Sequence, residues 1–140
     1  MPKHYADANS EIGEMMAGYA ARAVELGAQH KVQLDYSEQS LQQLESLLGQ
    51  LSAGDNLDEL CKTYGGYFGE VIRRRFGGEW TIERYPAGDF LIVTLNVAGA
   101  RLFPSMKIHR RLTQGATENL WDFFLSVRKR LEAQPGKKIQ

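Results

Sequence analysis

A small set of charged and aromatic side chains carries the chemistry this chain is best equipped to do. Glu70 stands one helical turn before Arg73 and Arg74, and Lys107, Arg110 and Arg111 follow in a second basic cluster. A carboxylate facing several cations can act as a general base beside a bound anion, so Glu70, Arg74, Lys107 and Arg110 form one candidate site for an anionic ligand. At i,i+3 and i,i+4 spacing the same Glu-to-Arg order also makes an ordinary surface ion pair, worth ~0.2–0.5 kcal/mol. Tyr64 and Tyr67, with Tyr85, are candidate aromatic anchors for a partner, and Arg111 extends the basic face. The segment that carries Tyr64 and Tyr67 also holds Gly65, Gly66 and Gly69. Three glycines inside a helix cost about 2–3 kcal/mol relative to alanine, so they need a compensating reason. Cys61, Gly65 and Gly69 recur every fourth residue, a small-residue stripe that lets another element approach closely. Ligand contact through exposed backbone is the alternative use of the same stripe.

Other reactive types are sparse. His4, His30 and His109 are far apart in sequence and form no local metal motif, so no metal or cofactor is expected. Cys61, the only cysteine, excludes an internal disulfide and a multi-cysteine zinc site. A Cys61–His109 nucleophile pair is a remote alternative. Nucleophile-elbow, phosphate-loop and dinucleotide signatures are absent.

The elements that must position these residues follow from periodicity. A helix capped by Asn9 or Ser10 carries Ile12, Met15, Met16, Tyr19, Ala20, Ala23 and Leu26 and ends at Gly27. Val32–Leu34 reads as a connector or a brief strand. A second helix opens at Ser37, with Asp35 as another cap, and presents Leu41, Leu44, Leu47, Leu48 and Leu51. After a turn at 52–56, a third helix buries one side (Leu57, Leu60, Cys61, Tyr64, Phe68, Val71, Ile72) and stops at Gly77-Gly78. Residues 80–85 alternate, and 90–97 are rich in β-branched and aromatic types, which predicts an antiparallel hairpin. Residues 100–103 can add a third strand. A short helix spans 105–112, and a last helix, capped by Thr117, buries Leu120, Phe123, Phe124, Val127 and Leu131. The expected fold is α+β: N-terminal helices, a small central antiparallel sheet of two to three strands, and C-terminal helices packed on the sheet. One domain fits the 140 residues, with a core of about 9–133 and a flexible tail at 134–140.

Lys plus Arg total 17 and Asp plus Glu total 17, so the net charge is zero. A balanced chain has no global attraction for nucleic acid or an anionic membrane. Halved at residue 70, the chain becomes a dipole: four basic and eleven acidic residues give −7, then thirteen basic and six acidic give +7. The halves either cancel within one molecule or present a basic face to a partner. No leader peptide or membrane-spanning stretch is expected, and with a single cysteine the chain reads as cytoplasmic.

Asp35-Tyr36-Ser37-x-x-Ser40-Leu41-x-x-Leu44-Glu45, Tyr64-Gly65-Gly66-Tyr67-Phe68-Gly69-Glu70-Val71, Gly77-Gly78-x-Trp80 and Phe103-Pro104-x-x-Lys107-x-x-Arg110-Arg111-Leu112 occur in that order. Over about residues 32–133 this resembles a bacterial domain family of unknown function, with a Gly-Glu helix, a Gly-x-Trp and a Pro…Lys/Arg segment. The resemblance implies a cytoplasmic bacterial protein without known catalysis and supplies no site residues. By analogy, such small proteins are accessory or immunity-like. The expected function is therefore non-enzymatic binding of a macromolecule, either another protein or a second copy of the chain. An anionic-ligand or enzymatic pocket around Gly65/Gly69 and Lys107/Arg110 is the alternative.

Overall fold

A computed structural model describes residues 5–52 and 54–133. The expected tail at 134–140 lies outside them. Five helices accompany a three-stranded sheet: α1 (Tyr5–Gln29), α2 (Ser40–Gln50), α3 (Leu57–Phe76), β1 (Glu79–Arg84), β2 (Leu91–Val97), β3 (Ala100–Leu102), α4 (Pro104–Gln114) and α5 (Leu120–Glu132). The strands pair antiparallel in the order β1-β2-β3, with Trp80 opposite Leu95, Ile82 opposite Val93 and Leu95 opposite Leu102. This is the α+β class expected.

The centre of the molecule is α3. Every residue from Thr63 to Ile72 is buried, so this helix is enclosed on all sides and not on one side as its spacing suggested. Neighbours close in from three directions, and a glycine marks each approach. A Cβ on Gly66 would lie 2.8 Å from the Tyr19 Cβ of α1. One on Gly65 would lie 2.8 Å from the Ser105 Cα of α4, and one on Gly69 would lie 2.1 Å from the Trp80 indole. The glycine cost in helix propensity is thus offset by packing closer than any Cβ allows. Beyond α3, α1 packs on β1, and α5 packs chiefly on α2 rather than on the sheet.

Local chemistry sets the boundaries. The first helix starts at Tyr5 and runs through the expected caps Asn9 and Ser10; cap preference is only a weak prior against continued helix. Past its end the chain folds back, with the N–H of Val32 donating to Gly27 O at 2.8 Å and Lys31 at φ 62°. Val32–Leu34 forms no strand; it is a connector that buries Leu34. Ser37 does act at the start of α2: its hydroxyl accepts the Ser40 N–H at 3.1 Å, while Asp35 accepts the Ser37 N–H at 3.1 Å. The last helix is capped by Asn119, whose Oδ1 accepts the Asp122 N–H at 2.9 Å, and not by Thr117, which sits in a 3-10 turn. Pro104 occupies the first turn of α4, as its fixed φ favours. The two-residue turn Ala98-Gly99 has φ 54° and 83°, the left-handed pair that joins twisted strands.

Candidate functional site

The carboxylate of Glu70 is filled from within the fold. Oε2 accepts the Trp80 indole N–H at 2.8 Å and the Arg73 Nε–H at 2.7 Å, and Oε1 accepts Arg73 Nη2 at 3.1 Å. Arg74 Nε lies 3.6 Å away. The Glu70 side chain is 2% exposed. Burial pushes its pKa up, but the bonds from Arg73 and Trp80 and the charges of Arg73 and Arg74 outweigh that and hold it below the ordinary 4.5. The group is therefore ionised at neutral pH and closed off from solvent. It ties the end of α3 to the start of the sheet.

The basic cluster on α4 diverges. Lys107 is buried, bonds Glu118 at 2.9 Å and lies 5.0 Å from the Phe123 ring centroid. That bond, with the lysine charge, holds the Glu118 carboxyl below its usual range. Arg110 donates to the Tyr85 hydroxyl at 2.6 Å. Arg111 binds Glu45 at 2.8 Å, and the other oxygen of Glu45 accepts the Leu120 N–H at the start of α5, also at 2.8 Å. Neither the cleft between α3, β2 and α4 nor the one beside residues 31–35 is lined by Glu70, Lys107 or Arg110. Of the four residues expected to converge, Glu70 and Arg74 do meet, while Lys107 and Arg110 are each held by a partner of their own, Glu118 and Tyr85.

Tyr64 and Tyr67 are 1% and 0% exposed and offer no surface to a partner. The Tyr67 hydroxyl accepts the Tyr36 N–H at 2.8 Å and is 2.5 Å from the Ser40 hydroxyl. It fixes Tyr36 at φ 67°, and Arg74 then stacks 3.6 Å from the Tyr36 ring centroid. Tyr67→Phe is expected to cost about 1–2 kcal/mol, because it leaves the Tyr36 N–H without its acceptor. Urea unfolding measures that loss, and an unchanged midpoint would remove the role.

The −7 and +7 halves pair within the chain. Arg73 and Arg74 meet Glu70, Arg75 and Arg128 share Glu38, and Arg111 meets Glu45. Three acids of the first half thus meet five cations of the second.

What remains open lies on the hairpin. Ile82, Phe90 and Leu91 are 50%, 44% and 68% exposed. Ile82 is opposite Val93, and Leu91 is two residues from Val93 on the same strand, so Ile82 and Leu91 share one face, while Phe90 stacks on the Tyr85 ring on the other. Below the Ile82 face a cleft of about 460 Å³ opens between α3, β2 and α4. Leu57, Leu91, Val93 and Met106 supply apolar walls, and Asp58, Lys62 and His109 line it with polar groups. Cys61 and His109 share this cleft, but burial, aided by the Asp58 charge, pushes the Cys61 thiol up to about 11. It is a thiol at neutral pH, not a nucleophile. Period-two alternation places Ile82 on the Trp80 face, yet carries no signal that the helical cover ends between the two. Among the described residues, no group of acidic, His or Cys side chains is arranged to hold a metal ion, and no helix is long and apolar enough to cross a membrane.

Fold and surface together define an α+β domain with one central enclosed helix and an apolar hairpin half left uncovered. No protein-family model, no curated protein and no solved structure matches the chain.

Proposed function

We propose that this protein is a non-enzymatic binding module that recognises another macromolecule through the outer half of the β1–β2 hairpin and the cleft beside it. The observation that carries this reading is the exposure of Ile82 and Leu91 on one face of the hairpin beside the cleft, with Phe90 on its other face at the turn. They are three of the four large apolar side chains left exposed among the described residues, and the fourth, Met15, is on α1. Scattered apolar residues are normal on any surface, whereas a contiguous set beside an apolar cleft marks an interaction site. The anchors are these side chains and not Tyr64 and Tyr67, which are enclosed. An accessory or immunity-like role in a bacterial cytoplasm is one form of this function. The rival pocket for an anion has less support, since Glu70, Lys107, Arg110 and Arg111 each have an internal partner.

The test is affinity capture from the native host, followed by titration of the identified partner in purified form. Ile82→Ser with Leu91→Ser is expected to weaken that binding about tenfold or more while leaving the melting curve nearly unchanged. A partner bound equally well by the variant would sink the hairpin as the site.

A further inference from the structure

We infer that the cleft between α3, β2 and α4 is a site for a small uncharged molecule, one with an apolar body and an amide-like edge that both donates and accepts hydrogen bonds. This goes beyond partner binding by the hairpin, and either can fail without the other. The cleft holds about 460 Å³, within the range that encloses a small organic ligand. Leu57 of α3, Leu91 and Val93 of β2 and Met106 of α4 supply its apolar walls. Cys61, held as a thiol, adds no charge.

The polar groups around these walls decide the head of the ligand. Only Leu95, Asn96 and Val97 of β2 pair with β3, because the chain turns into α4 at Pro104. The edge of β2 at Leu91 and Val93 is therefore left without a strand. Its direction follows from the ladder. The Tyr85 N–H donates to Phe90 O at 2.7 Å. Residues bonded to β1 alternate from there: Phe90, Ile92, Thr94, Asn96. Leu91 and Val93 turn their N–H and C=O groups the other way, towards the cleft they line. The helices α3 and α4 wall this space, which keeps a further strand out but admits a small molecule. Ser105 and His109 also line the cleft, and among the described residues neither side chain has a hydrogen-bond partner. Hydroxyl, ring nitrogens and strand edge together offer donors and acceptors side by side, which is what an amide matches. The full charges of Asp58 and Lys62 already meet at 3.0 Å on exposed side chains. A carboxylate or ammonium head has to part that pair to find its counter-charge, and an amide does not.

The test is an NMR titration of the full chain, following backbone amide shifts, with three probes that share one ring: benzamide, benzoate and benzylamine. Benzamide is expected to shift the amides of Leu91, Val93 and Met106 saturably, with a dissociation constant of about 1 mM, the strength its size allows. Benzoate and benzylamine should bind about threefold or more weakly, since their charges enter an apolar cleft without a partner. Met106→Trp fills the cleft and should weaken benzamide about tenfold or more, with a melting curve to confirm the fold. No saturable shift at Leu91 and Val93 by about 10 mM benzamide, charged probes that bind as well, or a folded Met106→Trp that binds in full overturns the inference. The probe series is run on the wild-type chain, so it decides the matter even where Met106→Trp does not fold.

Discussion

Glu70→Ala is expected to destabilise the protein by about 2–4 kcal/mol, read as a shift in the urea midpoint at constant slope. The greater part of the loss is the indole N–H of Trp80. That ring is 2% exposed, and its donor has Glu70 as its acceptor at 2.8 Å. Left unmatched in the core, such a group costs about 1–3 kcal/mol. Loss of the buried methylenes adds a cavity contribution. The arginines contribute less than their distances suggest. Arg73 and Arg74 side chains are 38% and 47% exposed, so water screens their attraction and solvates them when the carboxylate is gone. Glu70→Gln keeps an acceptor for Trp80 and is expected to cost only about 1–2 kcal/mol. It also carries a pH signature. The folded carboxyl is held below 4.5, so its contribution is fully present above that pH and is lost as pH falls through the folded value. The stability gap between wild type and Glu70→Gln should therefore narrow on acidification below about 4.5. A gap that stays constant from neutral pH into that range would show that the charge of Glu70 does not matter.

Gly69→Ala has the second large effect, about 2–3 kcal/mol of net destabilisation, although alanine is the better helix former by up to ~1 kcal/mol. The added Cβ would lie 2.1 Å and 2.4 Å from Cη2 and Cζ2 of Trp80, and 3.1 Å from Pro104 Cγ. The indole cannot swing aside freely, since it is buried and bonded to Glu70. Displacing it breaks that bond, so Gly69→Ala and Glu70→Gln should be less than additive in a double-mutant cycle. Gly18→Ala makes the contrast. Gly18 is an exposed position of α1 with nothing within 4 Å of a new Cβ, so alanine there is expected to stabilise by about 1 kcal/mol. Thermal melts of the pair should move in opposite directions. Equal shifts would mean that the close approach of Trp80 to α3 is not what requires glycine.

Helix and strand order could be read from local pattern because each signal is repeated several times within one element. The leucines of α2 recur at helical spacing, residues 80–84 alternate, and Gly77-Gly78 and Pro104 punctuate the chain. Individual caps were less legible: Asn119, not Thr117, caps α5, since several polar residues near a helix start compete and the winner is set by backbone geometry. The glycine stripe announced close packing. It did not announce three different neighbours, because Tyr19, Ser105 and Trp80 arrive from distant parts of the chain.

The amino-acid sequence by itself determined the α+β class, the element order, the zero net charge and its division into opposite halves. All of these depend on composition or on residues a few positions apart. Only the tertiary structure decided where the charges and rings go. Glu70 and the α4 cations were read as one site because they share chemistry, but a charge is claimed by whatever folds within hydrogen-bond reach. For Glu70 that is Trp80, and for Arg111 it is Glu45, 66 residues away in the chain. Tyr64 and Tyr67 carry the same polar tip as a surface tyrosine, and burial is a property of the elements around them. The exposure of Ile82 and Leu91 was settled in the same way. Alternation sets the face of a strand, but the length of the helices beneath sets how much of that face is covered.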